Sequence, residues 1–166
     1  GQSLATADID GDAGLEIVAG ARAAAVVFDA AGASYTSSVI ALPWASAGTT
    51  VAAGDGSGDG RADIAIGGPA AKIGAAPYDG AILVASGGTD ATYRIERTAA
   101  EAGARMGASV ALLPGGVFAG APSATVAGTA RAGIVARTML ADGDRDGRLD
   151  IDDNCAGVAN PAQENH

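Results

Sequence analysis

Two acidic stretches decide the fold: residues 8–16 read Asp-Ile-Asp-Gly-Asp-Ala-Gly-Leu-Glu, and residues 55–63 read Asp-Gly-Ser-Gly-Asp-Gly-Arg-Ala-Asp. Both place side-chain oxygens at positions 1, 3, 5 and 9 of a loop, with mostly small residues between them. Ca²⁺ takes about six to eight hard oxygen ligands, and clustered carboxylates repel one another without a cation. The spacing therefore predicts a Ca²⁺ site in each stretch.

The predicted ligands are the four oxygen-bearing side chains of each loop and the backbone carbonyl at position 7. They are Asp8, Asp10, Asp12, Gly14 and Glu16 in the first loop, and Asp55, Ser57, Asp59, Arg61 and Asp63 in the second. Oxygen-only ligands without a nearby His or Cys argue against zinc or iron, and Mg²⁺ prefers fewer protein ligands. The alternative is a solvated Asp/Gly turn, and the recurrence of the spacing favours the metal.

Three segments of the chain share one layout around these stretches. They open with glycine before a short apolar strand, at Gly1, Gly48 and Gly107. A second apolar run then ends in a glycine-containing triplet, at residues 20–22, 67–69 and 120–122. A third strand follows in every copy, with candidates at 24–28, 81–85 and 133–137, and a weaker fourth at 35–42 and 93–97. Four short antiparallel strands per repeat describe a propeller blade, with a meandering β-sandwich as the alternative.

The predicted fold is therefore all-β. It is a partial β-propeller of about three four-stranded antiparallel blades at residues 1–47, 48–106 and 107–138, followed by an irregular calcium-binding tail at 139–166. Propellers close with roughly four to eight blades, so we expect further blades from the parent chain or from another chain. In the third repeat a Pro-Gly turn at 114–115 replaces the acidic loop, which predicts a blade without metal.

The pattern Asp-x-Asp-x-Asp-Gly-x-x-Asp, followed by an apolar strand and Gly-Ala-Pro, resembles the FG-GAP repeat of integrin α-subunit propellers. Residues 120–122 match the second half of that name, and the three opening glycines match its first half, although Ala47 and Met106 stand where phenylalanine would. Ala13 also replaces the usual glycine at loop position 6. The resemblance covers about residues 1–138 and implies Ca²⁺ bound between strands of single blades.

Residues 142–155 repeat the acidic spacing in the tail. The predicted ligands are Asp142, Asp144, Asp146, Arg148 through its carbonyl, Asp150 and Asp153. An EF-hand or dockerin would need a helix afterwards, and Gly157, Asn160 and Pro161 interrupt that stretch. Asp-Asn-Cys-x-x-x-x-Asn-Pro-x-Gln instead resembles the thrombospondin type 3 repeat. That resemblance implies a disulfide from Cys155 to a cysteine beyond His166 and hence an extracellular location; the alternative is a free cytosolic thiol.

The charge distribution limits the possible functions. Net charge is −9, and 13 of the 19 acidic residues lie in the three acidic windows, which argues against nucleic-acid binding. No apolar run approaches the roughly 20 residues of a membrane span. The sequence predicts a calcium-binding extracellular structural or adhesion module, a fragment of a larger surface or secreted protein, whose ligand is an unknown protein or glycan.

An enzyme is not expected, because the single histidine is His166 and no serine lies in a nucleophile elbow. Asp79, Glu96 and Glu101 are interpreted as solvated surface charges. The alternatives are an accessory propeller of a secreted calcium-dependent enzyme, of the polysaccharide lyase or phospholipase type, and a sugar-binding propeller that uses Trp44 or Tyr78 on its rim. Trp44 is expected instead to pack between blades.

Overall fold

The computed structural model describes residues 2–31, 34–44, 50–72, 79–85, 95–98, 102–140, 142–144, 146, 150, 153–160 and 162. Within these residues the chain is all-β: eleven strands form three antiparallel sheets, there is no helix, and no sheet closes on itself. The predicted fold class is confirmed at this level. Short apolar runs broken by glycine-containing turns produce this meander, because each run is too short for a helix and can pair only with its neighbour.

Each sheet is built from strands that are consecutive in the chain. Sheet 1 contains β1 (Ser3–Ala7), β2 (Glu16–Ala21), β3 (Ala24–Ala31) and β4 (Ser34–Ala41). Sheet 2 contains β5 (Thr50–Gly54), β6 (Asp63–Gly68), β7 (Ala81–Ala85) and β8 (Ile95–Thr98). Sheet 3 contains β9 (Ser109–Leu113), β10 (Gly116–Ala121) and β11 (Ile134–Met139). The predicted third and fourth strands are confirmed, and sheet 3 has three strands among the described residues instead of four.

The first two strands of each sheet pair in the same register relative to the sequence repeat. Ser3 lies opposite Gly20, Thr50 opposite Gly67, and Ser109 opposite Gly120. In every case the residue two positions after the opening glycine of the segment meets the first glycine of the triplet. Because side chains alternate between the faces of a strand, this shared register fixes which residues of each sheet point the same way.

Sheet 2 lies between the other two sheets, and both of its faces are buried. On one face Ile64, Ile66 and Leu83 pack with Val18 and Val27 of sheet 1. The alternate residues Ala65, Ile82 and Val84 turn to the other face and pack with the sheet 3 residues Val117 and Ala119. Every residue of β6 and β7 is accordingly buried. A continuous apolar run suits a strand covered on both faces, as β7 shows.

The acidic loops of neighbouring sheets lie at the same edge of the stack, which we call the acidic edge. The amide of Ala62 in the second loop donates to the carbonyl of Asp8 in the first at 2.9 Å. The amide of Gly115 in the β9–β10 turn donates to the Gly56 carbonyl at 2.8 Å. The acidic tail also leaves from this edge, since it follows Leu140 and the amide of Leu140 donates to the Gly115 carbonyl. The connections from β2 to β3, β6 to β7 and β10 to β11 lie at the opposite edge.

Candidate metal centres

The first acidic loop gathers three carboxylates. One oxygen each of Asp8, Asp10 and Glu16 lie within 4.8 Å of one another. The β1–β2 hairpin produces this meeting, because Ala7 pairs with Glu16 and so brings the end of the loop back beside its beginning. Glu16 is only 2% exposed although it carries a carboxylate. Asp12, also a predicted ligand, is not part of the cluster, and its Oδ1 accepts a hydrogen bond from the Gly14 amide at 2.7 Å.

Backbone amides of the same loop hold these carboxylates in place. Asp8 accepts from the Gly11 amide at 2.7 Å and from the Ala13 amide at 3.1 Å, one at each carboxylate oxygen. Glu16 Oε2 accepts from the Ile9 amide at 2.5 Å. To present these amides the chain turns through the left-handed region at Gly11 (φ 82°) and Ala13 (φ 67°). The loop is therefore wound around its own carboxylates.

The second loop repeats the same arrangement residue by residue. Asp55 accepts from the Gly58 amide at 2.6 Å and from the Gly60 amide at 3.1 Å, as Asp8 does from positions 4 and 6 of its loop. Asp63 Oδ2 accepts from the Gly56 amide at 2.9 Å, which matches the Glu16 bond to position 2. Gly58 (φ 88°) and Gly60 (φ 93°) also have left-handed backbones. The two loops therefore share left-handed backbones at positions 4 and 6 and one set of amide hydrogen bonds, while their metal sites stay predictions.

The loops differ at position 3, where Ser57 stands in place of Asp10. No cluster of three carboxylates forms in the described second loop, since only Asp55, Asp59 and Asp63 carry that group and they do not meet as a trio. The Ser57 hydroxyl oxygen is buried and has no hydrogen-bond partner among the described residues. Asp59 accepts from the Arg61 amide at 2.8 Å, just as Asp12 does from Gly14. The second centre therefore has one charge fewer and one buried neutral oxygen.

The tail forms a second carboxylate trio from positions 1, 3 and 5 of its loop. Oxygens of Asp142, Asp144 and Asp146 lie within 4.8 Å of one another. The Gly143 amide donates to Asp150 Oδ1 at 2.7 Å, the same position 2 to position 9 bond that both other loops contain. The Asn160 amide donates to Asp146 Oδ2 at 2.7 Å and so ties a later part of the tail to the cluster.

The remaining predicted tail ligands are not placed in this trio. Asp153 Oδ1 accepts from the amide of Cys155 at 2.8 Å, and Arg148 lies outside the described residues. Cys155 is a half-buried free cysteine. The spacing of the aspartates predicts the tail loop because those residues are close together in the sequence. The bond from the Asn160 amide to Asp146 joins residues that are 14 apart, and the spacing does not indicate it.

Burial, with a further contribution from neighbouring carboxylates, raises the pKa of one group in each trio. Burial raises the pKa of Glu16, and the charges of Asp10 and Asp12 raise it further, against an opposing effect of the Ile9 amide bond. Loss of solvation also raises the pKa of Asp144, with further contributions from Asp146, Asp153 and Asp142. A raised carboxyl pKa means that the anion is disfavoured there, and a bound cation would reverse this cost.

The donor sets fit a hard divalent cation. Each trio supplies carboxylate oxygens only, and Asp144 Oδ2 is buried without a hydrogen-bond partner among the described residues. Soft metals prefer sulfur or imidazole, and neither group belongs to these trios. The Ser57 hydroxyl supplies a further buried oxygen in the second loop. Loops 8–16 and 55–63 and the tail can thus each offer oxygen ligands to a cation.

The β9–β10 turn is shorter than the two acidic loops at the equivalent positions of sheets 1 and 2. Strand β9 runs directly into Pro114 and Gly115, and Gly115 has a φ of 79°, which confirms the predicted tight turn. Arg137 Nη2 donates to the Gly115 carbonyl at 3.3 Å. The turn contains no acidic residue. Its freedom from metal stays a prediction.

Two other sequence-based interpretations are settled by burial. Trp44 is only 6% exposed and packs in the core between sheets 1 and 2, so it does not lie on a rim, while Tyr78 falls outside the described residues. The interpretation of Asp79 as a solvated charge is wrong, because its side chain is 7% exposed. Its carbonyl accepts from the Met106 amide at 2.9 Å, which holds this segment between sheets 2 and 3. The Glu96 side chain and Glu101 lie outside the described residues.

No known protein family matches this chain, and no curated protein matches it closely enough to count as a relative. Among the described residues there is no helix with the length and apolar character needed to cross a membrane.

Proposed function

We propose that this chain is a calcium-binding, non-enzymatic module of an extracellular protein, with a structural or adhesive role. The observation that carries the proposal is the shared construction of loops 8–16 and 55–63. Four backbone amides of each loop donate to carboxylates at matching loop positions. In the first loop oxygens of Asp8, Asp10 and Glu16 lie within 4.8 Å of one another, and a Ca²⁺ site requires such a convergent set of oxygens.

The proposed ligand set of the first site starts from its carboxylate trio. Asp8, Asp10 and Glu16 already approach one another, and Asp12 with the Gly14 carbonyl would complete the set expected from the sequence. In the second site Asp55, Ser57, Asp59 and Asp63 would act with the Arg61 carbonyl. Calcium accepts such irregular, mixed oxygen sets, whereas Mg²⁺ demands near-octahedral geometry and keeps its waters.

The ion would act as a cross-link and not as a catalyst. Each acidic loop joins the first two strands of its sheet, and the first loop touches the second through the bond from Ala62 to Asp8. A cation in either loop would neutralise crowded carboxylates and stiffen this edge. That role accords with the resemblance to FG-GAP propellers and to thrombospondin type 3 repeats, in which calcium is structural.

The packing of the sheets supports the proposal of a partial propeller. Ile64 and Ile66 of sheet 2 face sheet 1, and their counterparts in the repeat, Val117 and Ala119 of sheet 3, face sheet 2. The sheets therefore stack head to tail, always with the same face toward the preceding sheet. Head-to-tail contacts generate rings when the rotation closes. The corresponding face of sheet 1 would receive a preceding sheet.

The two outer faces of the stack are apolar enough for such neighbours. Leu4 and Val39 on sheet 1 are 68% and 65% exposed, and Val135 and Met139 on sheet 3 are 73% and 55% exposed. Contiguous exposed apolar surface commonly marks an interface. We propose that further blades, from the parent chain or another chain, cover both faces, and that the complete assembly binds a protein or glycan ligand.

Calorimetric titration of the calcium-stripped protein tests the metal assignment. We expect about three Ca²⁺ sites, two in the loops and one in the tail, and weaker binding of Mg²⁺. The double variant Asp10→Asn with Glu16→Gln should lose one site. Asp29→Asn, which removes an acid of sheet 1 outside the loop, is the matched control and should keep all sites. A count of zero or one in the unmodified protein would refute the proposal.

A further inference from the structure

The edge opposite the acidic loops carries positive charge, against the net charge of −9. The connections from the second to the third strand contain Arg22 in sheet 1, Lys72 in sheet 2 and Arg131 in sheet 3. Arg105 lies in the segment that leads into β9. Among the described connections at this edge the one acidic residue is Asp79, whose side chain is buried. Among the residues that the structure describes, the charges of the loops are therefore separated between two edges.

Two of these cations line one open cleft between the connections of sheets 2 and 3. Arg105 and Arg131 border it together with the hydroxyl-bearing Ser123 and Thr125, and its volume is about 710 Å³. We call this site the arginine cleft. The rest of its lining is alanine and glycine, with no aromatic and no large apolar side chain. Its volume falls within the roughly 300–1,000 Å³ of ordinary ligand sites.

The backbone at both arginines is unusual for residues with a side chain. Arg105 has a φ of 62° and Arg131 a φ of 57°, both in the left-handed region that favours glycine. Glycine takes this conformation nearby at Gly103, Gly128 and Gly133. Ala23 and Ala127 also take this conformation in connections at the same edge, so it belongs to these turns and does not by itself single out the two arginines.

The two guanidinium groups also lack partners within the described part of the chain. Neither group makes an ion pair or hydrogen bond with a described residue, and Asp79 is not paired with either. Both arginine side chains are exposed. Guanidinium groups bind planar carboxylates and sulfate-like oxyanions through paired N–H donors.

We propose that the arginine cleft binds the carboxylate or sulfate group of an acidic saccharide. The guanidinium groups of Arg105 and Arg131 would meet the oxyanion, and the hydroxyl of Ser123 would bond a sugar oxygen. Lys72 lies two residues from Ala70 of the cleft wall and would meet an acidic group on the next sugar unit. The cleft has neither an aromatic platform for a nucleobase nor a pocket for a large peptide side chain. This inference does not depend on the metal centres.

Binding of defined oligosaccharides to the full chain in calcium-containing buffer tests the inference. A uronate oligosaccharide probes the carboxylate source, a heparin-derived oligosaccharide probes the sulfate source, and a neutral oligosaccharide of equal length is the control. We expect calorimetry to detect one or both acidic ligands and not the neutral one, with affinity that falls as salt rises. Arg105→Gln and Arg131→Gln should each weaken binding about tenfold or more.

Two further variants separate binding from folding. Arg105→Gly suits the left-handed backbone, so it should keep or raise the thermal midpoint while it weakens binding. Arg137→Gln removes a cation of β11 outside the cleft and should leave binding unchanged. The inference is overturned if neither acidic oligosaccharide binds, if both cleft variants bind normally, or if an acidic peptide or single-stranded DNA of equal charge binds more tightly.

Discussion

The acidic loops of the sheets and the acidic tail share one spacing of acidic residues but differ in the structure that holds those residues in place. Each sheet loop is closed by paired strands, with Ala7 opposite Glu16 and Gly54 opposite Asp63. The described tail has no strand after β11, and its Val158 is 64% exposed. In the sheet loops, paired strands hold the aspartates and would persist without metal. In the tail, the aspartates and their ion would be the main structure that orders the chain.

The largest expected effect is the loss of tail structure on calcium removal. Chelation should expose the amides of Gly143, Asp146, Cys155 and Asn160 to exchange, while the amides of β6 and β7 stay protected by the apolar core. Calcium at about 100 times its Kd contributes roughly 2.7 kcal/mol, so its removal should lower tail protection about a hundredfold. Ordering each residue costs about 1–2 kcal/mol, which the few tail contacts cannot offset without the ion. Amide hydrogen exchange with and without chelator measures this.

The same exchange experiment contains its own control. Asp144→Asn should reproduce the effect of the chelator in the tail and leave both sheet loops unaffected. If the sheets open first while tail protection is unchanged, the tail is not held by metal, and its interpretation as a thrombospondin type 3-like repeat fails.

A narrower comparison separates the two sheet loops, which differ at position 3. Ser57→Asp adds the missing carboxylate to the second loop and should tighten its calcium affinity about tenfold, because ligand charge tunes such sites. Asp10→Ser should weaken the first loop by a similar factor. Calorimetry on each variant resolves the two sites, and Ser57→Ala tests whether the buried hydroxyl is itself a ligand. Equal affinities in the wild type and Ser57→Asp proteins would show that position 3 does not face the ion.

The sequence predicted the features that depend on near neighbours in the chain. The strands and the Pro114–Gly115 turn each arise within a few residues of the chain, and the strand pattern repeats. The burial of Asp79 and the position of Arg105 and Arg131 along one cleft were not predictable in this way. Both result from the packing of sheet 2 against sheet 3, which joins residues far apart in sequence and leaves no periodic signal. The engagement of Asp12 by the Gly14 amide was also missed, because spacing alone cannot tell a ligand from a turn acceptor.

The smallest expected effect concerns loop position 6, where the loops carry different residues in one conformation. Ala13 has a φ of 67° and Gly60 a φ of 93°, and their amides donate to Asp8 and Asp55 at the same 3.1 Å. A left-handed backbone costs a residue with Cβ about 1–2 kcal/mol, and the freedom of glycine in the unfolded chain offsets about 0.5–1 kcal/mol of that.

Ala13→Gly should therefore stabilise the protein by about 0.5–1 kcal/mol, and Gly60→Ala should destabilise it by a similar amount. No atom lies within 4 Å of a Cβ built on Gly60, so the second variant changes the backbone preference without a steric clash. Denaturant unfolding at saturating calcium measures both free energies, and the midpoints should move in opposite directions. Shifts in the same direction would show that the two loops do not share one backbone conformation, and the equivalence of their metal centres would fail with it.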